Sequence, residues 1–376
     1  MMEQYVNKIK YFSAFAGIGG FDLGIQQACP DWECVGYSEI DKYAEAIYQY
    51  NFKGATNYGD ITAIRPDELP DFDMFCGGFP CQSFSIAGKR RGFEDTRGTM
   101  FFEICRIVQV KRPKYLFLEN VKGLLSHDKG NTFETILCAI TELGYDCQWQ
   151  VCNSKYYGVP QNRERIFIIG HIREIARPEV FPFGEKDKVS NGKMESDTRQ
   201  SQSQIVGTIR NNPGKGDGTF IIEKNKINQL NNPLHSSNRV YSSDGISPTL
   251  VTSARPKIIE YDNKINNNPK IITGMQKHQT IKEDGIVNCL TSGMGAGGGH
   301  IPMVVQPDLA PNMINKIRRL TPIECERLQG FPDNYTKYGI INGKQVEISD
   351  SQRYKCCGNA VTVNVIKHIA DKLKLF

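Results

Sequence analysis

The sequence predicts an α/β protein, a sheet with helices on both faces, followed by a second, loop-rich β domain. Two observations carry this. Short apolar runs alternate with helix-period segments up to about residue 170. From about Arg177 the composition shifts to Asn, Gln, Ser, Gly and Lys, with short β-prone pieces and no long helix.

Taken in order, Ile9–Phe15 reads as a strand, Gly20–Ala28 as a helix, Cys34–Tyr37 as a strand and Lys42–Tyr50 as a helix. Asp73–Cys76, Tyr115–Glu119 and Ile166–Ile169 are apolar runs suited to buried parallel strands, separated by helical patterns at Met100–Val110 and Thr132–Leu143. The last helix is expected after Gly358-Asn359-Ala360-Val361, on the period of Val363, Ile366, Ile369 and Leu373. A weak repeat runs through the second domain: Gln204–Ile209, Gly245–Leu250 and Gly285–Leu290 recur about 40 residues apart. Each is followed by a loop and a β-branched run (Phe220–Ile222, Lys257–Ile259, Met303–Val305), which predicts three copies of a strand–loop–strand unit.

Composition narrows the class. The chain has 376 residues, 39% hydrophobic and 23% charged, enough apolar material for a core and inconsistent with wholesale disorder. No stretch approaches the ~18 apolar residues of a membrane span, and Tyr11–Phe21 reads better as a strand entering a glycine turn than as a signal peptide. A soluble cytoplasmic protein is expected. The twelve cysteines include no C-x-x-C pair, so a zinc ribbon, a thioredoxin motif and a disulfide scaffold are all disfavoured. Cys34, Cys105 and Cys138 read as small core residues, and no metal site is expected. A net charge of +5 permits nucleic-acid binding without indicating it.

Three segments carry chemistry. Phe15-Ala16-Gly17-Ile18-Gly19-Gly20 joins a strand to a helix in a turn that lets a cofactor approach the backbone, although Asp22 stands where a dinucleotide fingerprint has its third glycine. Glu39 ends the next strand, where a carboxylate can take ribose hydroxyls, and Asp60 closes a third β-segment, where it can accept from an adenine amino group. An adenosine cofactor without a pyrophosphate, such as S-adenosylmethionine, fits best. Gly77–Ser85 then places Cys81 on a Pro80-Cys81 turn at a strand's carboxyl end, where α/β enzymes hold reactive groups. Glu119-Asn120-Val121 and Gln161–Arg165 bring a carboxyl and an arginine to the same rim.

With these motifs in this order, joined by Arg318–Asp333 and Gly358–Val361, the chain resembles the DNA (cytosine-5) methyltransferases of prokaryotic restriction–modification systems over residues 9–172 and 318–370. The resemblance implies a Rossmann-like, S-adenosylmethionine-dependent methyltransferase sheet with a loop-rich β target-recognition domain. Residues 1–175 with 352–376 would form the catalytic and cofactor-binding domain, and 176–351 the target-recognition domain and hinge. It implies Cys81 as the thiolate that adds to cytosine C6, Glu119 on N3 and the amino group, and Arg165 on O2, with Arg163 counted among the catalytic residues. Cofactor contacts are implied for Phe15, Gly17, Ile18, Gly19, Gly20, Glu39, Ile40, Asp60, Ile61, Pro80, Met100, Asn359 and Val361.

The target cytosine must leave the duplex to be reached. Ser85–Gly98 is suited to close over it, with Gly88, Gly92 and Gly98 as pivots and Lys89, Arg90, Arg91 and Arg97 facing phosphates; position 87 is alanine. Leu320, Ile323 and Leu328 read as packing. The glycine-rich Thr291–His300 is expected to lie against DNA. Double-stranded DNA is the expected partner, with a restriction endonuclease as functional counterpart and a monomer as the working form. The main alternative is a tRNA cytosine-5 methyltransferase of the same family. A dinucleotide oxidoreductase leaves Pro80-Cys81 unexplained, exocyclic-amine methylation lacks its Pro-Pro-aromatic motif, and a non-catalytic DNA-binding relative is disfavoured by intact Cys81, Glu119 and Arg165.

Overall fold

A computed structural model describes residues 8–80, 100–175, 179–183, 206–211, 220–224, 270–275, 278–282, 284–295, 301–306 and 316–374. The order begins β1 (Lys10–Ala14), α1 (Gly20–Ala28), β2 (Glu33–Ser38), α2 (Lys42–Asn51), β3 (Met74–Gly78), α3 (Met100–Lys111), β4 (Tyr115–Val121), α4 (Asn131–Glu142), β5 (Tyr145–Asn153), β6 (Gln161–Asn162) and β7 (Glu164–Ile172). It continues β8 (Val206–Asn211), β9 (Phe220–Lys224), β10 (Lys270–Met275), β11 (His278–Lys282), β12 (Val287–Asn288), β13 (Met303–Gln306), β14 (Lys316–Arg319), α5 (Pro322–Leu328), β15 (Tyr338–Ile341), β16 (Lys344–Glu347), α6 (Asp350–Asn359) and α7 (Val363–Leu373).

The helix ends follow local chemistry. Asp41 caps α2 by accepting from the backbone N–H groups of Tyr43 and Ala44. Thr321 and Glu324 form a reciprocal capping box on α5, with Pro322 in the first turn. On α7 the predicted period is observed: Val363, Ile366, Ile369 and Leu373 are all buried, the last three against a core that includes Phe21 and Ile25 of α1.

The main sheet has the order β2-β1-β3-β4-β7-β5-β8-β9. β2, β1, β3 and β4 run parallel, while β7 is antiparallel to both β4 and β5. The α/β expectation is met, but Ile166–Ile169, expected as a parallel strand, is not one. Only Ser154–Gln161 and its neighbours separate β5 from β7, too short a connection for a crossover, so the chain must return antiparallel. Nor does Asp60 close a strand: that stretch is a loop touching β2 through a single bridge, Tyr37 to Asn57.

Strand β5 is the element the apolar pattern conceals. Gln148 and Gln150 interrupt its run, yet both are buried. Their side-chain carbonyls accept from the backbone N–H groups of Val180 and Phe181, and of Phe183, fastening that segment over the sheet. Val180, Phe181 and Phe183 share a core with Val365, Ile366 and Ile369 of α7. The segment after α5 also packs on this domain: Phe331, Tyr335 and Ile348 pack with Ala44 and Ile47 of α2, and the Tyr335 hydroxyl donates to Ile18 O at 2.8 Å.

The three proposed repeat units are not equivalent. Strands of the first, β8 and β9, form an antiparallel hairpin that extends the main sheet from β5. The second, 245–259, lies outside the described residues. Strands of the third part company: β12 pairs with β6, while β13 joins the antiparallel sheet β11-β10-β13-β14. Cys105 is fully buried as expected, whereas Cys34 and Cys138 are only partly buried. Among the described residues no helix is long and apolar enough to cross a membrane.

Candidate active site

The parallel strands β2, β1, β3 and β4 place their carboxyl ends on one edge. β1 has β2 on one side and β3 on the other, so the chain reverses its direction of progress there and leaves a crevice at that edge. The Phe15–Gly20 turn, Glu39 and Pro80 all leave strands into this crevice.

The turn is held in an unusual backbone. Phe15, Gly17 and Gly19 have φ of 52°, 57° and 83°. A Cβ at Gly17 would meet nothing within 4 Å, so open space borders the backbone there. Glu39 fixes the turn: its Oε2 accepts from Gly17 N–H at 2.7 Å, and its Oε1 accepts from the N–H groups of Ile40 and Asp41 at 2.9 and 2.7 Å. Three of the roughly four lone-pair positions of this carboxylate are thus used, leaving room for one further donor. Beside it Ile40 is 73% exposed, an apolar side chain presented to solvent at the crevice rim.

The remaining rim residues divide into two groups. Asp60 is exposed, with Oδ1 accepting from the Thr62 N–H and hydroxyl. Pro80 and Asn359 are exposed, and Met100 is partly buried at the start of α3. In contrast, Ile18, Gly19, Gly20, Ile61 and Val361 are buried, and Ile18 and Ile61 point into core clusters. The Ile18, Ile61 and Val361 side chains are thus turned into the core.

The second half of the crevice is built on β4 and β7. Val121 pairs with Arg165 and Glu119 with Phe167, so Glu119 and Arg165 are diagonal neighbours on one face of the antiparallel ladder. Arg165 Nε donates to Glu119 Oε1 at 3.0 Å. Burial pushes the Glu119 carboxyl above its ordinary value, and the nearby Arg165 and Arg163 partly oppose that rise. Asn120 Nδ2 donates to Phe79 O at 2.9 Å, which ties β4 to the residue just before Pro80. Cys81 and the whole of Ser85–Gly98 lie outside the described residues.

Arg163 is held by backbone carbonyls from distant segments. It is 3% exposed, and its guanidinium donates to Leu290 O at 2.9 Å, Gly358 O at 3.3 Å and Ala360 O at 2.7 Å. It braces the junction of β6 and β7 against the segment after β12 and the end of α6. Of Thr291–His300, the first half is described. Ser292–Gly295 forms a short 3₁₀ turn packed on α6, so tightly that a Cβ at Gly358 would lie 2.2 Å from Thr291 O. Residues 296–300 lie outside the described residues. The brace of Gln161, whose side chain joins Leu290 N to Leu328 O, has no motif that announces it beyond its place in Gln161–Arg165.

Residues 9–375 match the family of C-5 cytosine-specific DNA methylases. The orphan methyltransferase M.SPRI of Bacillus phage SPR is 33% identical, across 98% of this chain and 98% of its own length. The type II methyltransferase M.HhaI of Haemophilus parahaemolyticus is 33% identical, across 98% and 95%. The chain belongs to the C-5 cytosine-specific DNA methylase family. Its fold agrees: a crystal structure of the S. pombe Dnmt2 methyltransferase superposes with a TM-score of 0.59 at 18% identity, covering 98% of each chain. The enzyme class expected from the motifs, DNA (cytosine-5-)-methyltransferase, is therefore that of the family. In this methylase the described residues contain no group of three or more His, Cys, Asp or Glu side chains able to hold a metal.

Proposed function

We propose that this chain transfers a methyl group to C5 of a cytosine flipped out of a specific double-stranded DNA sequence, through a covalent Cys81–C6 adduct. The observation that carries the reading is the Glu119–Arg165 pair at 3.0 Å on the crevice edge, in a chain matching the methylase family from residue 9 to 375.

S-adenosylmethionine supplies the methyl group from its sulfonium. The residues present suit it: open space at Gly17, a fixed Glu39 carboxylate with one acceptor position left for a ribose hydroxyl, and the exposed Ile40 beside it for the adenine face. Asp60, Asn359 and Pro80 lie exposed for contacts, and Met100 is partly buried.

In the chemistry proposed, the Cys81 thiolate adds to C6 and the displaced π electrons make C5 nucleophilic. Glu119 holds N3 and the exocyclic amino group. Its raised proton affinity suits a carboxyl that hydrogen-bonds or protonates N3 as the thiolate adds. Arg165 offsets the charge that develops on O2. After methylation a base removes the C5 proton, the C5–C6 double bond re-forms and the Cys81 thiolate leaves.

The biological reading that goes with this is a monomeric cytoplasmic enzyme that protects DNA from a cognate restriction endonuclease. Tritiated methyl transfer to duplex DNA and to tRNA, followed by sequencing of the modified cytosines in plasmid DNA from an expressing host, tests it. Label in DNA at one sequence context is expected; label in tRNA alone contradicts it.

A further inference from the structure

We propose that Cys289 is a positioning residue for methyl transfer, its sulfur holding the Arg165 guanidinium in place against Glu119. The proposal rests on the reading of Glu119 and Arg165 as the residues that grip the cytosine. Each nitrogen of the Arg165 guanidinium meets a partner among the described residues. Nε meets Glu119 Oε1 at 3.0 Å, Nη1 meets Glu164 O at 2.9 Å, and Nη2 meets Cys289 Sγ at 3.7 Å. The same sulfur lies 3.1 Å from Arg163 Nη1. Two guanidinium groups so close repel, and a polarisable sulfur whose lone pairs lie between them offsets that repulsion.

The thiol is oriented for this. Cys289 S–H donates to Leu290 O at 3.3 Å, which leaves the lone pairs for the arginines. Its backbone is fixed on both sides. Val287 and Asn288 pair with Gln161 and Asn162, Val287 N–H donates to Pro160 O at 2.8 Å, and Leu290 N–H donates to Gln161 Oε1 at 3.0 Å. Val287 and Leu290 are buried in a cluster with Leu320, Leu328 and Cys357. Cys289 therefore reaches the arginines from the stretch that the sequence assigns to target recognition. Its sulfur is a physical link between that stretch and the residue that meets cytosine O2.

The test uses the full chain and its Cys289→Ala and Cys289→Ser variants. Measured for each are kcat and KM for methyl transfer to DNA, the affinity for S-adenosylmethionine, and the melting temperature. Cys289→Ala is expected to lower kcat about tenfold, the effect of a lost charge-assisted contact, with cofactor affinity and melting temperature near wild type. Cys289→Ser, which keeps both a donor and an acceptor, is expected to recover most of kcat. Wild-type kcat in Cys289→Ala overturns the proposal. So does equal loss in both variants together with a lowered melting temperature, which marks a packing role. A wild-type chain that methylates no DNA overturns the parent reading, and this role falls with it.

Discussion

Gly78 stands opposite Glu119 across the β3–β4 ladder, and a Cβ on Gly78 would lie 2.7 Å from Glu119 Oε2. That contact is too short, and the carboxylate cannot yield freely because Oε1 is already paired with Arg165. Gly78→Ala should therefore displace the Glu119 carboxylate and lower kcat by about tenfold to a hundredfold, with cofactor affinity unchanged. Steady-state methyl transfer beside calorimetric cofactor binding reads both. Wild-type kcat would show that the carboxylate position is not critical.

Glu119 also makes stability depend on pH. Its folded-state pKa is raised, first by burial, so above the unfolded carboxyl's pKa the folded chain retains a proton that the unfolded chain has lost. Stability from this group is therefore greatest at acid pH and falls as pH rises through the folded value. Glu119→Gln keeps an acceptor for Arg165 and removes the titration. Its melting temperature relative to wild type should increase as pH rises from below the unfolded carboxyl's pKa to neutral, while methyl transfer is lost. A difference independent of pH would contradict the burial argument.

Glu39→Ala removes the acceptor for the N–H groups of Gly17, Ile40 and Asp41 as well as the proposed ribose contact. Cofactor binding should weaken by roughly 1.5–3 kcal/mol, and the melting temperature should fall. Because the carboxylate shapes the turn, Glu39→Gln should recover only part of both. Unchanged cofactor affinity in folded Glu39→Ala would remove Glu39 from the pocket.

Arg163→Ala should act through folding. It strands the carbonyls of Leu290, Gly358 and Ala360 in a buried place, with an expected cost of about 3–5 kcal/mol in denaturant unfolding. If the variant melts like wild type and loses only kcat, Arg163 belongs to the chemistry and the brace is secondary.

Much of the fold was legible because its signals are local. The α1 and α7 boundaries follow apolar periods, and the parallel strands read as uninterrupted apolar runs. Strand β5 was not legible: its glutamines look exposed until Val180, Phe181 and Phe183 supply the N–H groups that bury them. The same holds at the site. Glu119 and Arg165 announce themselves at strand ends, but the partners of Arg163 and the place of Cys289 depend on segments more than a hundred residues away in sequence. The packing of Ser292–Gly295 was not legible because nothing local reveals that α6 presents Gly358 to receive it. A replacement there is now expected to disturb the α6 contact as well as any DNA contact.

The central claim is the covalent step at Cys81, the residue that follows Pro80 in the sequence after β3. The direct measurement is denaturing electrophoresis of the chain incubated with S-adenosylmethionine and duplex DNA carrying 5-fluorocytosine in its target sequence. Fluorine at C5 cannot leave as a proton, so the Cys81–C6 bond should persist and a DNA-linked band should form with wild type and not with Cys81→Ala. Methylation of ordinary DNA by Cys81→Ala at the wild-type rate, with no linked band from either protein, would contradict the account.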